Sequence, residues 1–392
     1  MSDILIIGNG FDLKCGLKSS YKDYFEYKMK NEPSFKSIFD YISNAPLDGS
    51  FNNKTSGEFV VERNLDGICA WDIIFIYNYF NNDNPLWSDV ESDILNFINE
   101  NKSSNSLNKG ELSFFENNAD RMSLLSHYKD NIKHINALRC LREYNNKRRI
   151  NVSSKEFMPF LLEELNKFEV KFDEYLVNAV KHEGWGWQYS TRTRIFLEQL
   201  IFTKRYYRIR RLLYNKRSKT VLISFNYTRP TLPKAMVGSI SVHGRIGFGL
   251  IDENTKSDII FGVDNTTTSA SNANFIFTKT FRKLLLSNTL VSYLPKPLPQ
   301  MNISFYGHSL SKADYSYFFS IFDYYSIYSN EVNLIFYYSL YGSKTKEEII
   351  FEQSKSISIL MSTYGATMDN KDHGENLLHK LELEGRIHLK LI

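Results

Sequence analysis

The chain has 392 residues, 42% hydrophobic and 23% charged, with 25 Tyr and 29 Phe; that supplies a sizeable core and excludes a mostly disordered chain. Nineteen Gly and nine Pro exclude collagen-like and Pro-rich classes, and a net charge of +4 is too mild to indicate nucleic acid by itself. Three scattered cysteines, Cys15, Cys69 and Cys140, form neither a disulfide framework nor a Cys-x-x-Cys metal pair, so a reduced, cytoplasmic setting and no metal are expected.

Met1-Ser2-Asp3 leads directly into an apolar run, with neither a basic n-region nor an h-region, so no leader is expected. Ile4–Ile7 is continuous and β-branched and ends in Gly8-Asn9-Gly10, which predicts a buried parallel strand and a glycine turn. Ser20-Tyr21-Lys22-Asp23 predicts a capping box opening a helix through Tyr27. Residues 31–219 read as mainly helical, as over Trp87–Glu100 and Glu156–Val180, with Asn pairs marking turns. The densest apolar run, Ile73–Phe80, is interrupted by Asn78 and falls short of the ~18–20 residues of a membrane helix, so no membrane partner is expected.

From Thr220 a strand–helix alternation returns. Strands are predicted at Val221–Phe225, Ile240–Val242, Ile259–Val263, Ile303–Tyr306, Val332–Tyr338 and Ile387–Leu391. Helices are predicted at Phe277–Leu286, Ala313–Tyr328 and Lys344–Thr363. One strand cannot stand alone, so the first must join this sheet. The expected fold is α/β: a mostly parallel, Rossmann-like sheet with a large helical insertion after the first βα unit. The expected division is 1–30 plus 220–392 as a discontinuous core and 31–219 as the insertion.

Four motifs fall where strands end. Gly8-Asn9-Gly10-Phe11-Asp12 suits either a phosphate approaching the backbone or a tight turn capped by Asp12. Leu13 stands where a dinucleotide fingerprint would have its third glycine. Asn226, within Phe225-Asn226-Tyr227-Thr228, offers donors and an acceptor to a ribose or a water, or else satisfies its own loop. His243, in Val242-His243-Gly244, is a candidate general base, with Gly244 leaving room for a ligand; the alternative is a structural histidine. Gly307-His308-Ser309-Leu310-Ser311 reads as a ribose-binding turn with Ser311-x-x-Asp314 capping the next helix, or as a nucleophile elbow with Ser309 attacking an ester. Lys204–Lys219 is basic with interleaved Tyr and no acid. It reads as a solvated helix or an interface with an acidic surface, with nucleic acid as the alternative. Glu91, in Trp87–Glu91, suits a helix N-terminus and could instead face the site.

Taken in order, these motifs resemble the AbiH family of bacterial abortive-infection proteins: Ile6–Asp12 with Gly16-Leu17 and Ser20-Tyr21, then Trp87–Glu91, Phe225–Thr228, His243-Gly244, and Gly307–Leu310 with Asp314. The same order is similar to a diverged Sir2-type core at Gly8, Gly10, Gly16, Asn226, His243, Gly307 and Ser309. Thr228 stands where that core usually has an acid, and the four-Cys zinc module of deacetylating sirtuins is absent.

The resemblance implies phage defence, with NAD or a related nucleotide as ligand or substrate, and either cleavage of the nicotinamide–ribose bond or sensing without chemistry. Gly8, Asn9, Gly10, Phe11, Asp12, Thr228, Gly307, His308, Ser309 and Asp314 would bind the nucleotide, and Asn226 and His243 would carry the chemistry. The insertion would be a lid, a sensor for a phage-derived trigger or a homo-oligomer surface.

Overall fold

In a computed structural model of the chain, six parallel strands form one sheet. The structure describes residues 2–43, 67–81, 90–100, 133, 136–137, 140–141, 143–144, 157–182, 187–202, 219–247, 258–264, 272–285 and 294–392. The strands are β1 (Ser2–Ile7), β2 (Lys219–Ser224), β3 (Met236–Ser241), β4 (Gln300–Tyr306), β5 (Glu331–Tyr338) and β6 (Ile387–Leu391). Their order is β3-β2-β1-β4-β5-β6. The strand that begins the chain therefore lies in the middle, between β2 and β4, and the order is that of a doubly wound Rossmann sheet.

The central strand is apolar at every position from Ile4 to Ile7 because both faces are covered. Leu5 and Ile7 enter one core and Ile4 and Ile6 the other. On the Leu5 face lie α2 (Tyr21–Asn31), α3 (Pro33–Ser43), α4 (Ala70–Asn81), α5 (Val90–Glu100), α6 (Phe157–His182) and α7 (Trp187–Ile201), reached from the short α1 (Asn9–Lys14). This core is strongly aromatic: Phe25, Phe35, Phe75 and Phe168 are fully buried around one another. The helices between β1 and β2 thus share a continuous core with one sheet face.

The other face is covered by α9 (Tyr315–Tyr324), α10 (Lys346–Gly365) and α12 (Leu377–Leu383), through Phe318, Phe322, Leu360, Met361, Leu377 and Leu381. The short α8 (Lys279–Leu285) precedes β4, and α11 (Lys371–Glu375) links α10 to α12. No described helix is long and apolar enough to cross a membrane.

The capping box forms as predicted: the Ser20 hydroxyl accepts from the Asp23 N–H and the Asp23 carboxylate accepts from the Ser20 N–H. Its helix runs on to Asn31. Thr345 and Glu348 form a second box at α10. The expected strand at Ile259–Val263 is a correction. It is extended and buried, but outside the sheet, with one bridge from Val263 to Thr278. Loop backbone and side chains share its hydrogen bonds: the Ile260 N–H donates to the His243 carbonyl at 3.0 Å and the Val263 N–H to the Phe277 carbonyl at 3.0 Å. Glu169 accepts from the Phe261 N–H at 2.7 Å, and Arg282 donates to the Phe261 carbonyl and pairs with the same Glu169. An apolar run signals burial, and here loop carbonyls and a buried Arg–Glu pair, not a neighbouring sheet strand, met the backbone's hydrogen-bonding need. Lys204–Ser218 and Trp87–Asp89 lie outside the described residues.

Candidate functional site

The last paired residues at the carboxyl ends of four adjacent strands are Ile7, Ser224, Ser241 and Tyr306. Two residues beyond them stand Asn9, Asn226, His243 and His308. The parallel register therefore delivers the separately predicted motifs to one edge of the sheet, where ligands of open α/β folds bind.

The order β3-β2-β1-β4 places the topological switch point between β1 and β4, and that point is closed by backbone. The Gly10 N–H donates to the Gly307 carbonyl at 2.8 Å. A Cβ on Gly8 would lie 2.6 Å from the His308 Cα, and one on Gly10 would lie 2.8 Å from the Gly307 Cα. Gly307 itself is left-handed, at φ +68°. The space that a side chain at either glycine would need is thus taken by the turn after β4. At Gly244 the room expected for a ligand is taken in the same way: at φ +80° its missing side chain makes way for the Asp258 carbonyl. Phe11 is fully buried and stacked on Phe196, a core residue. Asn9 is exposed and accepts from the Ser19 hydroxyl at 2.6 Å.

Asp12 does not cap a turn. Its carboxylate accepts from the Thr228 hydroxyl at 2.6 Å and the Tyr189 hydroxyl at 2.8 Å, joining α1 to the segment after β2 and to α7. Burial lifts its pKa to about 6, against the lowering pull of Thr228, Tyr189 and the neighbouring Asn226 amide. Beside it, Asn226 is 3% exposed; its amide is near enough to the Asp12 carboxylate to stabilise the charged form, yet among the described residues neither Nδ2 nor Oδ1 has a partner in good hydrogen-bond geometry. A buried amide left without partners is destabilising by about 1–3 kcal/mol, and no described loop atom satisfies this one.

Asp314 is also a correction. Ser311 caps the turn that follows it, accepting from the Ala313 N–H, while the Asp314 carboxylate points inward. There it meets His243 Nε2 at 2.9 Å, Lys279 Nζ at 2.7 Å and His308 Nε2 at 3.4 Å. The three protons of Lys279 find three acceptors: Asp314, Glu91 Oε2 at 2.7 Å and the Ala313 carbonyl at 3.2 Å. Burial alone would raise the Asp314 pKa, but the Lys279 ammonium and the two imidazoles hold it well below the usual carboxylate range. Burial, reinforced by the Lys279 charge, lowers the His243 pKa to about 4, against the opposing pull of Asp314.

Hydrogen bonds then assign both tautomers. His308 Nδ1 accepts from the Leu310 N–H at 2.9 Å, so its proton sits on Nε2, facing Asp314. Neutral His243 must donate from Nε2 to the ionised Asp314, which leaves Nδ1 as a lone pair. A His–Asp pair of this kind supplies an oriented neutral base. The Phe225 ring separates the two imidazoles, at 5.3 Å from His243 and 4.6 Å from His308.

Lys279 and Tyr189 were not singled out in the sequence, and Glu91 was left with two readings. A lysine opening a helix carries no signal that it will be buried; only its distant partners reveal that. Ser309 is exposed, and no hydrogen bond joins it to either histidine among the described residues. Asp372 and His373 lie on α11, where His373 stacks on Tyr328. The nucleophile-elbow reading therefore finds no base.

The pH dependence of stability follows from the buried imidazole. Below about pH 6.5 an unfolded histidine takes up a proton, whereas the folded one does so only near 4. Protons therefore favour unfolding across that window. The stability advantage of the wild type over His243→Gln is expected to be full above pH 6.5 and to shrink as the pH falls toward 4. Asp12 acts in the opposite sense, its folded pKa lying above its ordinary one, but it is common to both proteins and cancels. Urea titrations at stepped pH measure the difference; a gap that widens on acidification would contradict a buried neutral imidazole.

A family model described as "Bacteriophage abortive infection AbiH" matches residues 4–338, from the first residues of β1 to the end of β5. Searches of curated proteins and of solved structures returned no match.

Proposed function

The chain belongs to the bacteriophage abortive-infection AbiH family, and from that premise we propose that it acts in the cytoplasm as a phage-defence enzyme that binds NAD and hydrolyses its nicotinamide–ribose bond. The observation that carries this reading is the buried Asn226 amide, poorly satisfied among the described residues, at the sheet edge where the His243–Asp314 pair also lies. A poorly satisfied amide beside the Asp12 carboxylate fits a ribose hydroxyl or a reacting water, and a neutral imidazole fits the proton that must be removed.

In this reading Asn226 orients the water and His243 Nδ1 accepts its proton. The water oxygen bonds to the ribose anomeric carbon, and nicotinamide departs with the electron pair of the broken C–N bond. The ribosyl centre becomes oxocarbenium-like, so positioning and modest charge stabilisation suffice. Asp314 keeps His243 in the productive tautomer, a role whose loss lowers rates strongly in other His–Asp pairs.

Asn226→Ala and His243→Ala are expected to fold and to lose both NAD cleavage and protection from phage, each by at least ~100-fold in rate for the base. The direct measurement is the total NAD pool in cells overproducing wild type or His243→Ala at equal levels. Collapse with wild type alone, with nicotinamide and ADP-ribose appearing, supports the reading. An unchanged pool together with intact NAD bound to the purified protein favours the second reading, a nucleotide sensor without chemistry, which the burial of the whole cluster also suits.

A further inference from the structure

Asp314 holds two donors on one oxygen. His243 Nε2 at 2.9 Å and Lys279 Nζ at 2.7 Å both meet Oδ1, whereas Oδ2 faces His308 Nε2 at 3.4 Å. A carboxylate free to turn about its Cβ–Cγ bond would share its two oxygens between an imidazole and an ammonium. Oδ2 is therefore held away from both, and among the described residues His308 is the group that faces it.

His308 is itself fixed in place. Its side chain is 5% exposed. The ring stands nearly perpendicular to Phe225 at 4.6 Å and to Phe318 at 5.0 Å. Left-handed residues bracket it, Gly307 at φ +68° and Leu310 at φ +54°. Glycine adopts that conformation freely, whereas a leucine is strained in it. Leu310 is buried in the same core as Phe225 and Phe318, and its backbone N–H donates to His308 Nδ1 at 2.9 Å. That bond leaves Nε2–H as the donor of the ring, aimed at Asp314. Backbone strain of this kind persists where the surrounding structure over-determines it, and it gathers at functional sites.

We propose that His308 is a positioning residue: set by the left-handed Leu310 turn, it aims Nε2–H at Oδ2 of Asp314 and so turns Oδ1 onto His243. The His243 proton is thereby kept on Nε2 and the Nδ1 lone pair is left for the reacting water. His308 acts through Asp314 from inside the cluster and does not touch the substrate. The role of His243 as a base rests on the reading above; the orientation of Asp314 by His308 does not.

The test reads the histidine ring nitrogens of the full chain by proton–nitrogen correlation at neutral pH, in wild type, His308→Asn and His308→Gln. The oxygen of an Asn amide can stand in for Nδ1 and keep the Leu310 bond, but it offers no donor to Asp314. The nitrogen of a Gln amide reaches the place of Nε2 and keeps the donor. Signals are assigned by their loss in His308→Gln and in His243→Gln. Both rings of the wild type are expected as the Nε2–H tautomer. In His308→Asn the His243 signals are expected to shift, and kcat for NAD cleavage to fall ~10–100-fold with KM little changed. His308→Gln is expected to stay close to wild type in both readouts. A proton on His308 Nδ1 in the wild type, or His243 signals unchanged in His308→Asn, overturns the proposal. So does a His308→Asn protein that fails to fold, which would make His308 a structural residue, or a His308→Gln protein as impaired as His308→Asn. Shifted His243 signals in a protein that never cleaves NAD would sink the glycohydrolase reading and keep the positioning role. NAD cleavage with the His243 signals untouched in His308→Asn would do the reverse.

Discussion

Lys279→Met is expected to lower the unfolding free energy by about 3–5 kcal/mol, the range for stranding buried charges by removing their partner. The lysine is 2% exposed, and it neutralises Asp314 and Glu91 together. Methionine fills a similar volume but offers no proton to either carboxylate. Asp314 and Glu91 would then face each other across an apolar gap, and their pKa values in the folded state would rise. Protonation relieves that repulsion, so the deficit of the variant should narrow as the pH is lowered. Asp314→Asn with Lys279→Met should be less damaging than the sum of the two single changes, because the groups share one network. Guanidinium titrations of the four proteins complete the cycle. A loss below ~1 kcal/mol would place the cluster in contact with water, where ion pairs contribute little.

The second large effect is expected at Gly10. If its role were to admit a phosphate, Gly10→Ala would fold normally and lose only nucleotide binding. The close approach of Gly307 predicts the opposite order of events. A methyl group 2.8 Å from the Gly307 Cα and 2.9 Å from its carbonyl oxygen must push two backbone segments apart. It would also lengthen the 2.8 Å hydrogen bond between them. Neither segment is a flexible side-chain end, so the strain falls on β1 and β4 at the middle of the sheet. A destabilisation of about 1–3 kcal/mol, typical of forced overpacking, should appear with no nucleotide present. Thermal or urea unfolding of the ligand-free protein decides between the two roles, and unchanged stability with impaired nucleotide binding would restore the phosphate role.

Much of this architecture is legible from one sequence because it rests on local rules. The β-branched run Ile4–Ile7 announces a strand buried on both faces. The Ser20–Asp23 box announces a helix start through its own hydrogen bonds. The return of strand–helix alternation after Thr220 requires that the first strand join the later ones. The motifs at Asn226, His243 and His308 could be placed at strand ends for the same reason, and parallel pairing then aligns them without further information.

The assignment of work among those residues was not local. Phe11 and Gly10 sit inside a motif that suits nucleotide binding, yet one is core and the other makes room for a neighbouring turn. Asp314 stands where a cap belongs, yet faces His243. Ile259–Val263 has the composition of a strand, yet its hydrogen bonds run to the His243 and Phe277 carbonyls and to Glu169 and Arg282, not to a strand of the sheet.

By itself, then, the sequence determined the six strands of the sheet, the capped helix start at Ser20 and the family, since each is written in neighbouring residues or in the order of motifs. Only the tertiary structure decided which side chains meet. Lys279 and Glu91 are 188 positions apart, and Asp12 and Thr228 are 216 apart. The strength of such pairs comes from burial among groups that no window of sequence contains. A charge in water is nearly indifferent to its partner, whereas one inside the protein must have it, and that need sets the protonation of His243.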